Sequence, residues 1–433
     1  MNKTVVVLSV AAALSQSGCS EPPVSTAVEV EIVATDGGFA LHRGGEPYVI
    51  KGAGLEYGDI VSFAAHGGNS IRNWTTENDV ETAREVLDKA HAAGVTVALC
   101  LPMQAERWGF DYDDPVAVAA QLERFREEVL KYRDHPALLV WIIGNELNFD
   151  YRNPKVYDAV NDVSRMIHEL DPNHPTTTTV AGLGENVIED IRRRAPDLDF
   201  ISFQTYGELF ILQDFIAETG FDQPYFVTEW GAIGHWETEQ TAWGAPIEAT
   251  STEKAATYLK GYREIIAPFS DQLIGSYAFL WGQKQERTPT WFGMFTEAGE
   301  ETETVDVMHF IWNGAWPSNR SPAVESITLD GRSAYDSVTL TSGQNYAAAV
   351  RIVDPDDDPV SYRWELKPES DTQQVGGDFE ESIANLEGLI EDPARAAISL
   401  VAPGQAGAYR LFVYAYDGQG HAAHANVPFL VVE

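Results

Sequence analysis

Leu138-Leu139-Val140-Trp141-Ile142-Ile143-Gly144-Asn145-Glu146 is the stretch on which the reading of this chain turns. An apolar run without polar alternation, closed by a glycine, is the pattern of a strand covered on both faces, as in a parallel sheet flanked by helices. Its neighbours fit that setting. Val118, Leu122, Phe125, Val129 and Tyr132 before it, and Val156, Val160, Val163, Ile167 and Leu170 after it, recur at the helical period, each set forming one apolar stripe.

Outward from this centre, short β-branched runs alternate with amphipathic helices. Strands are predicted at 48–51, 70–74, 96–101, 138–143, 176–180, 200–204, 225–228 and 274–280. Eight βα units predict an α/β fold, a (β/α)8 TIM barrel, whose functional residues lie at the C-terminal ends of the strands. A doubly wound sheet would call for a phosphate-binding glycine turn after the first strand; Gly52-Ala53-Gly54 lacks the third glycine and the helix start. Ahead of the barrel, 28–33 and 39–43 around Asp36-Gly37-Gly38 read as a hairpin suited to plug the barrel floor.

After Trp316, the polar stretch 317–322 marks a boundary, and 323–433 changes character. Runs at 338–340, 346–353, 360–366, 397–401, 409–416 and 427–432 alternate in strand fashion between turn residues such as Asp417-Gly418, predicting a small all-β sandwich. At the other end, Lys3, the apolar run 5–14 and the small residues up to Cys19 have the layout of a secretory leader over 1–19, followed by a tether over 20–27. Gln16-Ser17-Gly18-Cys19 resembles a lipobox, with Gln16 where leucine is usual, which makes Cys19 the candidate lipid attachment site and an outer-membrane or cell-surface lipoprotein the expected destination, plain secretion being the alternative. Cys100, the second of two cysteines, then has no partner and is expected to be a buried small hydrophobe.

The chain has 433 residues, with 29 Lys+Arg against 66 Asp+Glu and a formal charge of −37. That excess argues against nucleic acid, whose phosphates need Lys and Arg, and against anionic membranes and acidic polymers. No run of about eighteen apolar residues offers a bilayer span. A neutral or cationic ligand is the expected partner, with the membrane reached only through a lipid on Cys19.

If the barrel reading holds, Glu146 closes the fourth strand and Glu229, in Thr228-Glu229-Trp230-Gly231, the seventh. Two carboxylates across one barrel mouth are what glycosidic cleavage needs, one to protonate the leaving oxygen and one to attack or stabilise the sugar cation. On Trp141-Ile142-Ile143-Gly144-Asn145-Glu146 and Phe226-Val227-Thr228-Glu229-Trp230-Gly231-Ala232, residues 40–315 resemble the retaining β-glycoside hydrolases of clan A, closest to the family 2 barrel with family 5 as a cousin. The resemblance implies Glu146 as acid/base, Glu229 as nucleophile, Asn145 on the sugar 2-hydroxyl, Arg72 and Tyr206 on the nucleophile, and Trp281 as the sugar platform. Family 2 usually places β-sandwiches before its barrel, whereas only a hairpin precedes this one, which makes endo attack or transglycosylation more plausible.

Trp74, Trp108, Trp230, Trp236, Trp243, Trp281 and Trp291 fall at or beyond strand exits, where indole rings can stack on sugar C–H faces; about half are expected to be packing residues. Asp354-Pro355-Asp356-Asp357-Asp358 has hard oxygen donors for Ca2+ but lacks the spacing of an EF-hand, so a turn is the default. Segments 353–364 and 407–418 resemble PKD-like and immunoglobulin-like modules of bacterial surface enzymes. No catalytic metal or cofactor is expected. The expected activity is retaining hydrolysis of a β-linked neutral polysaccharide, with β-glucan as the guess; transglycosylation by the same carboxylates and a non-catalytic carbohydrate-binding role are the alternatives.

Overall fold

The computed structural model describes residues 26–374 and 376–433. The leader, Cys19 and most of the tether lie outside the described residues. A hairpin of β1 (Val30–Ala34) and β2 (Phe39–Arg43), extended by the two-residue β3 (Glu46–Pro47), opens the fold. Eight parallel strands follow and close on themselves: β4 (Gly52–Gly54), β5 (Ser70–Arg72), β6 (Thr96–Leu101), β7 (Leu138–Ile143), β8 (Thr176–Ala181), β9 (Phe200–Gln204), β10 (Tyr225–Gly231) and β11 (Leu273–Phe279). The connecting helices are α1 (Ile60–Ala65), α2 (Ala83–Ala92), α3 (Pro115–Tyr132), α4 (Lys155–Leu170), α5 (Glu185–Arg194), α6 (Leu212–Thr219) and α7 (Ser251–Gly261), and α8 (Glu303–Asn313) completes the ring.

Local chemistry sets these boundaries. Thr82 with Glu85 and Thr250 with Glu253 form reciprocal capping boxes on α2 and α7, each cap contributing about 1 kcal/mol. Asp114 caps α3, with Pro115 in the first helical turn where its missing N–H costs nothing. In β7, Leu138, Trp141 and Ile143 join the helix-facing core while Val140 and Ile142 join the barrel interior, so the strand is buried on both sides. Cys100 lies in that interior, free and buried, with burial pushing its thiol up to about 12.

The hairpin covers the floor: Val30 and Leu41 pack with Cys100, Val140, Ile142 and Phe226, and the backbone N–H of Phe39 donates to the Asp271 carbonyl at 2.6 Å. A cavity of about 350 Å3 at that end, lined by Leu41, Tyr48, Lys51 and Trp312, contains neither candidate glutamate.

The first barrel strand lies at Gly52-Ala53-Gly54 rather than at 48–51. A Cβ on Gly52 would stand 2.5 Å from the Ser276 carbonyl oxygen, and one on Gly54 would stand 2.6 Å from the Trp74 ring. Crowding at the strand thus demands glycine, which propensity assigns to turns, while Tyr48 and Ile50 pack beneath the barrel.

Beyond the barrel stand two four-stranded sheets. One pairs β12 (Ala323–Leu329), β14 (Asn345–Val353), β17 (Ala397–Val401) and β16 (Ile390–Glu391); the other pairs β13 (Thr339–Thr341), β19 (Ala422–Val432), β18 (Gly407–Tyr416) and β15 (Ser361–Pro368). Leu329, Val350 and Leu400 of the first share a core with Trp364, Leu411 and Phe429 of the second, and Ile247 from the loop after β10 enters the same core. A buried polar cluster ties the sheets to the barrel. The Glu248 carboxylate accepts from Lys254 Nζ at 2.5 Å, Thr288 Oγ1 at 2.7 Å, Thr290 Oγ1 at 2.8 Å and Asn426 Nδ2 at 2.7 Å. Burial raises the Glu248 pKa, but the charges of Lys254, His424 and Arg410 and the Lys254 hydrogen bond outweigh it and hold the group at about 2.

The aspartate run after β14 is a turn: Asp354 Oδ1 accepts from the backbone of Asp356 at 2.9 Å and Asp358 at 3.0 Å. Among the described residues no group of three or more His, Cys, Asp or Glu is placed to hold a metal ion, and no helix is long and apolar enough to cross a membrane.

Candidate active site

At the C-terminal mouth, β5, β7, β9 and β10 bring Arg72, Asn145, Glu146, Gln204, Tyr206 and Glu229 together. Glu229 sits within β10 and is 5% exposed. Its Oε1 accepts from Arg72 Nη1, from Trp74 Nε1 at 2.8 Å and from Gln204 Nε2 at 3.0 Å, and its Oε2 accepts from the Tyr206 hydroxyl at 2.7 Å. Four donors, one a fully buried guanidinium, solvate a carboxylate anion and fix both its oxygens. Burial, reinforced by the Glu229 charge, pushes the Tyr206 phenol well above its usual range, so it remains a donor.

Glu146 has the opposite surroundings. The turn leaving β7 places it at φ 48, and its backbone N–H donates to Thr179 Oγ1 at 3.0 Å. Among the described residues no donor serves its carboxylate. Burial first, then the Glu229 charge, raise its pKa to about 8 against the opposing pull of Arg72 and Arg107, with Glu286 adding a smaller upward push. Near neutral pH, Glu146 is therefore a neutral acid beside a hydrogen-bonded anion, the separation of roles that acid-assisted displacement requires.

Asn145 Oδ1 accepts from Arg72 Nη2 at 2.7 Å and Gln204 Nε2 at 2.9 Å. With the oxygen so occupied, the Nδ2 group is the one left to donate to a ligand. Gln204 thus braces both Asn145 and Glu229; a single polar residue ending a buried strand was its only trace in the sequence.

The tryptophans divide. Trp74 is half-buried, donates to Glu229 and lies under the Arg72 guanidinium at 4.5 Å. Trp236, 54% exposed, meets Tyr206 edge-on at 5.5 Å. It is fixed there because the Glu237 carboxylate accepts from the backbone of Gly207, Glu208 and Gly234 at 2.8, 3.0 and 3.1 Å. Trp108, 58% exposed, is held by Arg107 at 4.5 Å. Trp281, Trp230 and Trp291 correct the expectation of platforms: each is 1% exposed. Trp281 packs among Phe63, Phe295 and Trp312, Trp230 against Tyr258, and Trp291 donates to the Ile233 carbonyl at 2.9 Å. Their rings turn into the helix-facing core, a direction that strand-exit position alone does not give.

The loop after β11 adds a third carboxylate that sequence reading missed. Glu286, 5% exposed, pairs with Lys284 at 2.8 Å and His235 at 3.5 Å. Burial pushes its pKa up, but these partners outweigh burial and hold it below the usual value.

Residues 80–245, a span that includes both glutamates, match the family model for glycosyl hydrolases family 2, TIM barrel domain. Over 93 residues the chain is 34% identical to mannan endo-1,4-beta-mannosidase F of Aspergillus clavatus, covering 18% of this chain and 21% of that protein. Over 101 residues it is 32% identical to the Aspergillus fumigatus protein of the same name, covering 20% and 23%. The matches thus span about a fifth of these curated relatives. Among solved structures, a calcium-binding mutant of Bacteroides uniformis beta-glucuronidase 2 superposes with a TM-score of 0.52 at 12% identity, covering 93% of this chain and 48% of that one. The beta-D-glucuronidase of Dictyoglomus thermophilum gives 0.50 at 16% identity, covering 66% and 54%. At such identities the likeness is one of fold. Both glutamates at the mouth of the closed barrel thus lie in the stretch, residues 80–245, that is similar to the TIM barrel domain of glycosyl hydrolases family 2.

Proposed function

We propose that this protein is a retaining β-glycosidase working by double displacement. Glu146 donates its proton to the glycosidic oxygen while Glu229 attacks the anomeric carbon, breaking the C–O bond and forming a covalent glycosyl-enzyme. Glu146, now anionic, takes a proton from water, which attacks the same carbon and frees Glu229. Asn145 Nδ2 is assigned to the sugar hydroxyl beside the reacting carbon, and Trp74, Trp236 and Trp108 to sugar contacts. The observation that carries this reading is the contrast between the two carboxylates, one held by four donors and the other without a donor among the described residues and raised to about 8.

The acidic chain favours a neutral β-linked saccharide. β-Glucan is the guess made from the sequence, and the names of the curated relatives put β-mannan beside it. The leader-like 1–19 and Cys19 support export as a lipid-anchored surface protein, and the paired sheets over 323–433 support an immunoglobulin-like module. The test is incubation of the mature protein and its Glu229→Ala variant with β-glucans, mannans, xylans and galactans and with aryl β-glycosides, followed by sizing of products. Release by the wild type alone is expected. Equal release by the variant, or binding without release by either protein, would overturn the reading.

A further inference from the structure

The connection between β15 and β16 leaves the C-terminal sheets and reaches the barrel mouth. Within residues 376–380 it meets loops from opposite sides. Asp378 Oδ2 pairs with Arg107 Nη1 at 2.9 Å, and a Cβ on Gly376 would stand 3.3 Å from the Phe149 ring. Arg107 follows β6 and Phe149 follows β7. Lys284 Nζ donates to the Gly377 carbonyl at 2.9 Å, and the Arg287 backbone N–H donates to Glu380 Oε2 at 2.9 Å. Both of those residues follow β11, which stands across the barrel from β7, with three strands between them in either direction. Five residues span at most about 17 Å when fully extended, so this segment and its anchors join opposed loops into a continuous span.

The anchors belong to the site. The Arg107 charge acts on Glu146, as does that of Glu286, which lies between Lys284 and Arg287. Lys284 Nζ is 5.9 Å from the centre of the Phe279 ring, which packs edge-on against both Trp74 and Tyr206, two of the donors to Glu229. The attachment is firm: Glu380 is 8% exposed and the Arg107 side chain 12%. Buried charged groups hold their partners because separation strands a charge away from water.

We propose that residues 376–380 close one end of the cleft, so that a saccharide extends from the two glutamates in one direction only and units of fixed size are removed from a chain end. This rests on the glycosidase reading and sharpens it toward attack at a chain end.

The test uses the full mature chain with β-1,4-linked manno- and gluco-oligosaccharides of graded length, fluorescently labelled at the reducing end, alongside aryl β-glycosides as reporters of the chemistry alone. Wild-type enzyme is expected to remove a product of one size from one end at every length. The Asp378→Ala/Glu380→Ala variant, which removes the ion pair of Asp378 with Arg107 and the bond from the Arg287 backbone to Glu380, is expected to yield products of several sizes. Internal cleavage at several positions by the wild type would overturn the closed end while leaving the glycosidase reading intact. Absence of hydrolysis of every aryl glycoside and oligosaccharide would overturn that reading and the closed end with it. If the variant does not fold, the wild-type pattern decides.

Discussion

Replacing Glu229 by Gln removes a charge while keeping the shape of the side chain, and its sharpest effect should appear on Glu146. Two causes lift Glu146 to about 8, burial and then the Glu229 anion; the substitution leaves the first and abolishes the second. Carboxylates of retaining enzymes stand roughly 5.5 Å apart. At an effective dielectric of about 20, charges at that distance repel by about 3 kcal/mol, or about two pKa units. Arg72 pulls on Glu146 in both proteins and so drops out of the difference, and a fall of about two units is expected, to a value still above that of an exposed glutamate because the burial remains. The assay is a 13C NMR titration of the Glu146 side-chain carboxyl in both proteins, assigned with Glu146→Gln. The same fall should follow when the wild type is trapped as its glycosyl ester, since esterification also neutralises Glu229 and prepares Glu146 to act as base. A Glu146 pKa that moves by less than about 0.3 unit would refute the electrostatic pairing, since even a water-like dielectric gives about half a unit at that distance.

In the wild type, kcat/KM should fall tenfold per pH unit above about 8, because loss of the Glu146 proton removes the general acid; a flat profile through that range would contradict its role. Tyr206→Phe deletes the 2.7 Å bond to Glu229, a charged hydrogen bond of about 1.5–3 kcal/mol, so kcat/KM should drop roughly 10- to 150-fold, with the Tm nearly constant because the ring keeps its packing on Phe279 and Phe292. Lys254→Met strands the buried Glu248 between barrel and sheets and should destabilise by about 3–5 kcal/mol, read as a lower midpoint in urea. The stabilisation of ionised Glu248, whose folded pKa lies below its ordinary 4.5, should be present above that value and be lost as the pH falls toward about 2. Trp281→Ala should lower the Tm with little change in KM, and Trp236→Ala should raise KM, because the first ring is buried and the second exposed.

The barrel was legible because hydrophobic period is a local property. The limits of β6, β7 and β9 coincide with the apolar runs, and the glutamates were placed by the strands that they end. The first strand was misplaced because its glycines answer to atoms of β11 and Trp74, far away in the chain. Trp281, Trp230 and Trp291 share strand-exit positions with Trp74, and only packing separates rings turned into the core from rings left at the mouth. Gln204 meets Asn145 and Glu229, and Glu286 meets His235, only once the barrel closes; Lys284, two residues before Glu286, is the one local partner. The span at residues 376–380 was the least legible, since its partners lie in loops roughly 90 to 270 residues earlier in the chain and long-range docking leaves no local period.

The central claim, that Glu229 is the nucleophile and Glu146 its acid, is tested most directly by trapping the intermediate. The wild type would be incubated with 2-deoxy-2-fluoro β-glycosides bearing a good leaving group and then analysed by intact-mass and peptide-mapping spectrometry. The account predicts one added glycosyl group, located on Glu229, forming even in Glu146→Gln because the activated leaving group needs no proton. An adduct on any other residue, or turnover of an ordinary aryl β-glycoside with inversion at the anomeric carbon, would contradict it.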